Sequence, residues 1–162
     1  MSEKLTQGQI NKLIDIVVSG VSKLEVKMPA SSTKEIPYTS QHLVPAIKGI
    51  IADINKPGLY VRGEGAQPVK SIYTAEMEFK PDISIGFHHN LYIAFEVKII
   101  RPGDPSGSFS KAIGQGITYL ALGDYEASIV LLFDTRKKAP IRTTKITSEI
   151  ENRISNLFIF TW

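Results

Sequence analysis

PDISIGFHHNLYIAFEVK, residues 81–98, is the stretch whose reading decides the fold. Two apolar, β-rich runs, Asp82–Phe87 and Leu91–Ile99, are separated only by His88-His89-Asn90. So short a polar break between such runs is a hairpin signal, and Asn90 tolerates the left-handed conformation that a three-residue turn needs. With the turn at 88–90, pairing is symmetric about position 89 and Asp82 falls opposite Glu96. Directly opposed side chains stand about 4.5–5.5 Å apart at Cβ and share a face. Glu96 and Lys98 are two apart, so they point to the same side of their strand. Asp82, Glu96 and Lys98 are therefore expected to form one cluster, with Phe95 and Val97 in the opposite layer.

Two carboxylates that close repel unless something cationic sits between them. A hard divalent ion such as Mg²⁺ suits carboxylates and backbone carbonyls and keeps waters that can act as nucleophiles. A neighbouring lysine can orient or help deprotonate such a water, or meet charge developing on a phosphate. The bland alternative is a solvated ion pair, since a Glu-x-Lys pair on a strand is commonplace. Against it stands the run LYIAFEVKII, residues 91–100, which looks buried. An acid and an amine placed there are costly without partners or a task.

Working outward, Ile10, Leu13, Ile14, Val17, Val21 and Leu24 recur at three- and four-residue steps and predict an amphipathic helix, with Ser19-Gly20 expected to fray or bend it. Residues 27–40 read as a loop. A second helix is expected from Ser40 or nearer Pro45, carrying Leu43, Ala46, Ile47, Ile50, Ile51 and Ile54 and stopping at Asn55-Lys56-Pro57-Gly58. Leu59–Arg62 reads as a strand and 69–79 as a mixed stretch. RPGDPSGSFS, residues 101–110, reads as a loop that either closes over substrate or merely connects. A helix is expected from Ser110 to Leu122, stopped by Gly123. ASIVLLF, residues 127–133, suits a strand buried on both faces. Pro140 is expected to open a helix bearing Ile146, Ile150 and Ile154, and LFIFTW, 157–162, a last strand. The order gives an α/β fold around a mixed β-sheet flanked by helices. It reads as one domain over 1–162, with 1–30 a helical extension and 35–135 the core.

Composition narrows the chemistry. Hydrophobic residues make up 43% and charged residues 22%, the balance of a globular chain and not of a disordered tail. There is no cysteine, which excludes disulfides, thiolate metal sites and a cysteine nucleophile. Lys and Arg number 19 against 16 Asp and Glu, an excess compatible with a polyanionic partner without demanding one. No signal-like segment or membrane span is evident, so a cytoplasmic protein without membrane partners is expected.

Pro81-Asp82, a short hydrophobic gap, then Glu96-Val97-Lys98 resembles the PD-(D/E)xK nuclease signature of restriction-endonuclease-like enzymes. Gln115 and Tyr119 in KAIGQGITYL look like the Q-x-x-x-Y motif of the RecB-type members. The resemblance covers roughly residues 35–135. It implies a metal-dependent nuclease that hydrolyses phosphodiester bonds in DNA, with an αβββαβ core followed by a C-terminal helix and strand. It implies that Asp82 and Glu96 bind Mg²⁺ (Mn²⁺ substituting), that the Val97 carbonyl adds a ligand, and that Lys98 assists the attacking water. Gln115 and Tyr119, four apart on one helix face, would look toward the metal and the nucleic-acid strand. Many members carry a further acid on the first core helix. Asp53 lies near the wrong end of that helix here, so Glu35 is the better candidate, with Glu64 and Glu76 as others. Arg136-Lys137-Lys138, with Arg142 and Lys145, could contact phosphates or be a charged loop. His88 and His89 are expected simply to be solvated at the hairpin tip. The alternative function is an inactive nuclease-fold module that binds nucleic acid or scaffolds a larger complex. A homodimer, or a subunit of such a complex, fits either.

Overall fold

The apolar runs assemble into one mixed five-stranded sheet with helices on both faces. The structure, a computed structural model, describes residues 3–63, 72–74, 77–136 and 143–162; for 72–74, 77, 143 and 144 it describes the backbone. In chain order the elements are α1 (Gln7–Ser22), α2 (Glu35–Tyr38), a π-helical turn (Thr39–Leu43), α3 (Val44–Ala52), β1 (Leu59–Gly63), β2 (Ile72–Thr74), β3 (Met77–Phe79), β4 (Ile83–Phe87), β5 (Asn90–Ile100), α4 (Pro105–Leu122), β6 (Ala127–Asp134), α5 (Thr143–Arg153) and β7 (Leu157–Thr161). The sheet runs β1-β4-β5-β6-β7, and β2 pairs β3 separately. β1, β4 and β5 are antiparallel neighbours, whereas β6 and β7 continue parallel to β5. Among the described residues no helix is long and apolar enough to cross a membrane.

Because successive strand residues face opposite layers, β5 and β6 feed two cores. Phe95, Val97, Ile99, Ile129, Leu131 and Phe133 pack with Ile14 and Val17 of α1 and Ile47 of α3. Ile100, Val130 and Leu132 instead meet Ala112 and Ile113 of α4. Helices on both faces explain why ASIVLLF is apolar without alternation and buried throughout. Glu96 and Lys98, four and two residues before Ile100, therefore lie on the α4 side of the sheet.

Thr6 caps α1 by accepting from the Gln9 backbone while the Gln9 side chain reaches back to Thr6, a capping box. Gly20, expected to fray this helix, lies where α3 crosses. A Cβ there would stand 2.6 Å from Ile50 Cγ2, so the glycine permits the close approach of the two helices.

Three local expectations are corrected. The hairpin turns over His88-His89 alone, with Phe87 paired to Asn90, and His88, not Asn90, takes the left-handed conformation at φ 51°. The register symmetric about 89 holds for Ile83↔Phe95, Ser84↔Ala94 and Ile85↔Ile93, then shifts as Tyr92 is passed over and Gly86 pairs with Leu91. The second helix begins at Glu35, not at Ser40 or Pro45. A proline inside a helix lacks its N–H and crowds the carbonyl four residues back. Here the wider turn at 39–43 precedes Pro45, with the Val44 N–H donating to Thr39 O. Finally, most of the loop expected at 101–110 is helix. Asp104 accepts from the Gly107 N–H at 3.0 Å and Pro105 takes the first helical position.

Candidate active site

β5 is eleven residues long and β4 only five, and the ladder between them ends at Ile83↔Phe95. Past that point the β4-facing N–H groups of β5 need other partners. They find carboxylates. Asp82 Oδ2 accepts from the Val97 N–H at 2.7 Å, and Glu35 Oε2 accepts from the Ile99 N–H at 2.7 Å. Asp82 thus stands at the end of the ladder and makes no ladder pair with Glu96. Its own N–H goes to Phe95 O at 3.0 Å.

Lys98, on the α4 side, turns its ammonium to the other oxygen of Glu35, at 2.8 Å. Both side chains are about a quarter exposed or less, so this pair is neither dry nor freely solvated. Glu35 and Lys98 are 63 residues apart in the chain. Asp53 sits exposed beyond the far end of α3, away from this cluster.

Glu96 is 4% exposed and its Oε2 lies 2.7 Å from the Tyr119 hydroxyl. That hydroxyl is also 3.1 Å from Lys80 O. One phenol carries one proton, and the shorter contact shows where it goes: Tyr119 donates to Glu96, with the Lys80 carbonyl the longer, competing acceptor. Burial, then the Asp82 charge, push the Glu96 carboxyl up to about 8; the Tyr119 hydrogen bond and Lys98 pull it down without cancelling them. Burial, and next Glu96 itself, raise the Tyr119 phenol above its ordinary range.

α4 delivers Tyr119 through tight packing on β6. A Cβ on Gly116 would lie 2.8 Å from Val130 Cγ2, so the small residue sets the depth of the helix. Tyr119 is 0% exposed, which leaves its ring no surface for a nucleic-acid strand. Its hydroxyl alone meets the cluster, from behind. Gln115, one turn earlier on the same face, is half-buried. Arg136 follows β6 and is held by Asp134, Nε to Oδ1 at 2.9 Å and Nη2 to Oδ2 at 2.8 Å. A basic group so paired has part of its charge already answered. Lys137, Lys138 and Arg142 lie outside the described residues, as do Glu64 and Glu76.

Sequence reasoning missed the Lys80 carbonyl and Arg101. Nothing local marks either; each matters through a contact spanning tens of residues, Tyr119 to Lys80 and Arg101 to Ser31 and Thr33. His88 and His89 are exposed at the tip, as expected, although His88 also lies against Phe87, ring centres 4.2 Å apart. They line a cleft of about 860 Å³ with Lys4, Tyr60, Tyr92 and Glu126. None of Asp82, Glu96, Lys98 or Glu35 borders it. The carboxylate cluster, not the roomier cleft, holds the perturbed group and the amine.

Among the described residues no three His, Asp or Glu side chains stand close enough to enclose a metal ion. The donor chemistry nonetheless fits a hard cation. Asp82 and Glu96 stand close enough that, after burial, the Asp82 charge helps push the Glu96 carboxyl up to about 8, and a divalent ion suits such a pair of carboxylates. Compared with protein-family models, curated proteins and solved structures, the chain matches none.

Proposed function

We propose that this protein is a metal-dependent nuclease of the PD-(D/E)xK type, acting on DNA. The observation that carries the reading is the convergence of Asp82, Glu96, Glu35 and Lys98 where β5 outruns β4. Supporting it is the order α3, β1, β4, β5, α4, β6, with the separate β2–β3 pair set between β1 and β4, which agrees with the αβββαβ order expected of a restriction-endonuclease-like core.

Asp82 and Glu96 would hold the cation, Mg²⁺ or Mn²⁺. Val97, whose N–H faces Asp82, presents its carbonyl to the same strand edge as a third donor. Bound there, the ion would polarise a phosphate oxygen and lower the cost of activating water. Glu35 orients Lys98 by its ion pair. Lys98 then steers the attacking water or answers the charge that builds on the phosphate. Tyr119 fixes the rotamer of Glu96 and gives it a hydrogen bond in either protonation state. Gln115 would touch the strand being cut.

Cleavage of labelled duplex, single-stranded and junction DNA in Mg²⁺ and Mn²⁺, run beside Asp82→Ala and Lys98→Ala, tests the reading. Metal-dependent cutting that drops by about 10² or more in both variants is expected, the size of loss typical for a positioned general acid–base or electrostatic group. Cutting that persists equally in both would overturn it. DNA binding without cutting in the wild type would make the protein a non-catalytic nucleic-acid module instead.

A further inference from the structure

The segment that brings Glu35 to the cluster has little structure of its own. Residues 23–34 contain no strand or helix, and α2 is four residues long with no side-chain cap at Lys34. α2 runs on without a break into the π-helical turn and α3, so Glu35 sits in the leading turn of a longer helix, and a leading turn without a side-chain cap is the part that frays. What fixes it comes from the other side. Arg101, the first residue past β5, donates through Nε to Ser31 O at 2.7 Å and through Nη2 to Thr33 O. Its Nη1 reaches back to Ile99 O at 3.2 Å. Between these contacts the strap closes on itself, Ala30 N–H to Thr33 Oγ1 at 2.9 Å and Thr33 N–H to Ala30 O at 3.0 Å. Glu35 follows two residues after Thr33 and spans Lys98 Nζ and the Ile99 N–H.

We propose that Arg101 is a positioning residue for the cluster: its guanidinium docks residues 31–33 onto the end of β5 and thereby holds Glu35 against Lys98 and Ile99. Three carbonyls are gripped by one planar fork with fixed donor directions, which a lysine ammonium cannot reproduce. The consequence for cleavage rests on the nuclease reading above, but the positioning itself does not.

The test uses the two edge amides of β5 as paired reporters. Hydrogen exchange at Val97, held by Asp82, and at Ile99, held by Glu35, is measured by NMR in wild type, Arg101→Ala, Arg101→Lys, Glu35→Ala and the Arg101→Ala/Glu35→Ala double variant. Ile99 is expected to exchange about tenfold faster in Arg101→Ala, the size of one lost hydrogen bond to a charged acceptor. Val97 should be unchanged, Arg101→Lys should recover only part of the protection, and the double variant should match Glu35→Ala alone. Equal acceleration at both amides would mean general loosening of the fold and would overturn the proposal. So would Ile99 protection that survives in Arg101→Ala, or effects that simply add in the double variant. In cleavage assays Arg101→Ala and Glu35→Ala should lower turnover by the same factor and not multiply. If wild type cuts no substrate while the exchange pattern holds, the nuclease reading fails and the positioning stands.

Discussion

From Asn90 to Phe95 the β4-facing N–H groups of β5 are answered by backbone, whereas at Val97 and Ile99 they are answered by the side chains of Asp82 and Glu35. Either kind of acceptor satisfies an N–H, and the two differ in what they bring along. A carbonyl partner is neutral and ends the matter. A carboxylate partner imports a charge, and that charge must itself be met. Lys98 meets that of Glu35, at 2.8 Å, and burial together with the Asp82 charge pushes the Glu96 carboxyl up to about 8. The concentration of charge at one end of β5 thus follows from where β4 stops.

Removing the charge that distinguishes the two ends of β5 has the largest expected effect. Folded, Glu96 keeps its proton up to about pH 8; unfolded, it releases it near the ordinary value of 4.5. Between those values the unfolded chain binds fewer protons than the folded one, so stability falls as pH rises, and the loss is complete above pH 8. Its size is of order 3–5 kcal/mol. Glu96→Gln cannot ionise, so denaturant titrations from pH 4.5 to 8.5 should show a flatter profile and a more stable protein at the alkaline end. Millimolar Mn²⁺ at pH 8 should raise the wild-type Tm more than that of the variant. Parallel profiles for the two proteins would show that no Asp82–Glu96 conflict exists.

A smaller effect sharpens the same contrast. Tyr119→Phe removes the hydroxyl that contacts Glu96 and Lys80 and should cost about 1–2 kcal/mol. That hydroxyl pulls the Glu96 carboxyl down, so without it Glu96 ionises at still higher pH. The rising limb of any pH–activity curve that needs ionised Glu96 should shift toward alkaline pH. An unmoved limb would separate Tyr119 from Glu96 ionisation. The quiet end supplies the smallest effect. His89 is exposed at the tip, so His89→Ala should change stability by less than about 0.5 kcal/mol and leave cleavage intact; a large loss in cleavage would move the chemistry toward the cleft.

The gathering of charged side chains at the end of β5 was the more legible part of the sequence, because its signal is local. Glu96-Val97-Lys98 share a strand, and the spacing to Asp82 is set by one short turn. The mixed sheet was legible for the same reason, since ASIVLLF and the alternating runs around it have few other ways to be buried. Three boundaries were not. Glycines in PGDPSGS outweighed the Asp104-Pro105 pair, which is a cap followed by a first-turn proline. Pro45 drew the helix start toward itself because a wider turn that tolerates it leaves no mark in composition. The tip was placed one residue too far because Asn90 suits a left-handed turn, yet the pairing of Phe87 with Asn90 leaves that role to His88. Contacts across 63 to 70 residues, Glu35 with Lys98 and Arg101 with Ser31, have no periodicity to betray them.

The π-helical turn at Thr39–Leu43 works as a phase setting. A helix advances about 100° per residue, so the one additional residue enclosed by this turn rotates everything on its N-terminal side by that angle relative to α3. α3 is keyed to the core by Ile47 and Ile51. The bearing of Glu35 is therefore dialled four residues downstream of it, and winding that turn down to ordinary α-helical pitch with the same residues would aim the carboxylate about a quarter-turn away from Lys98.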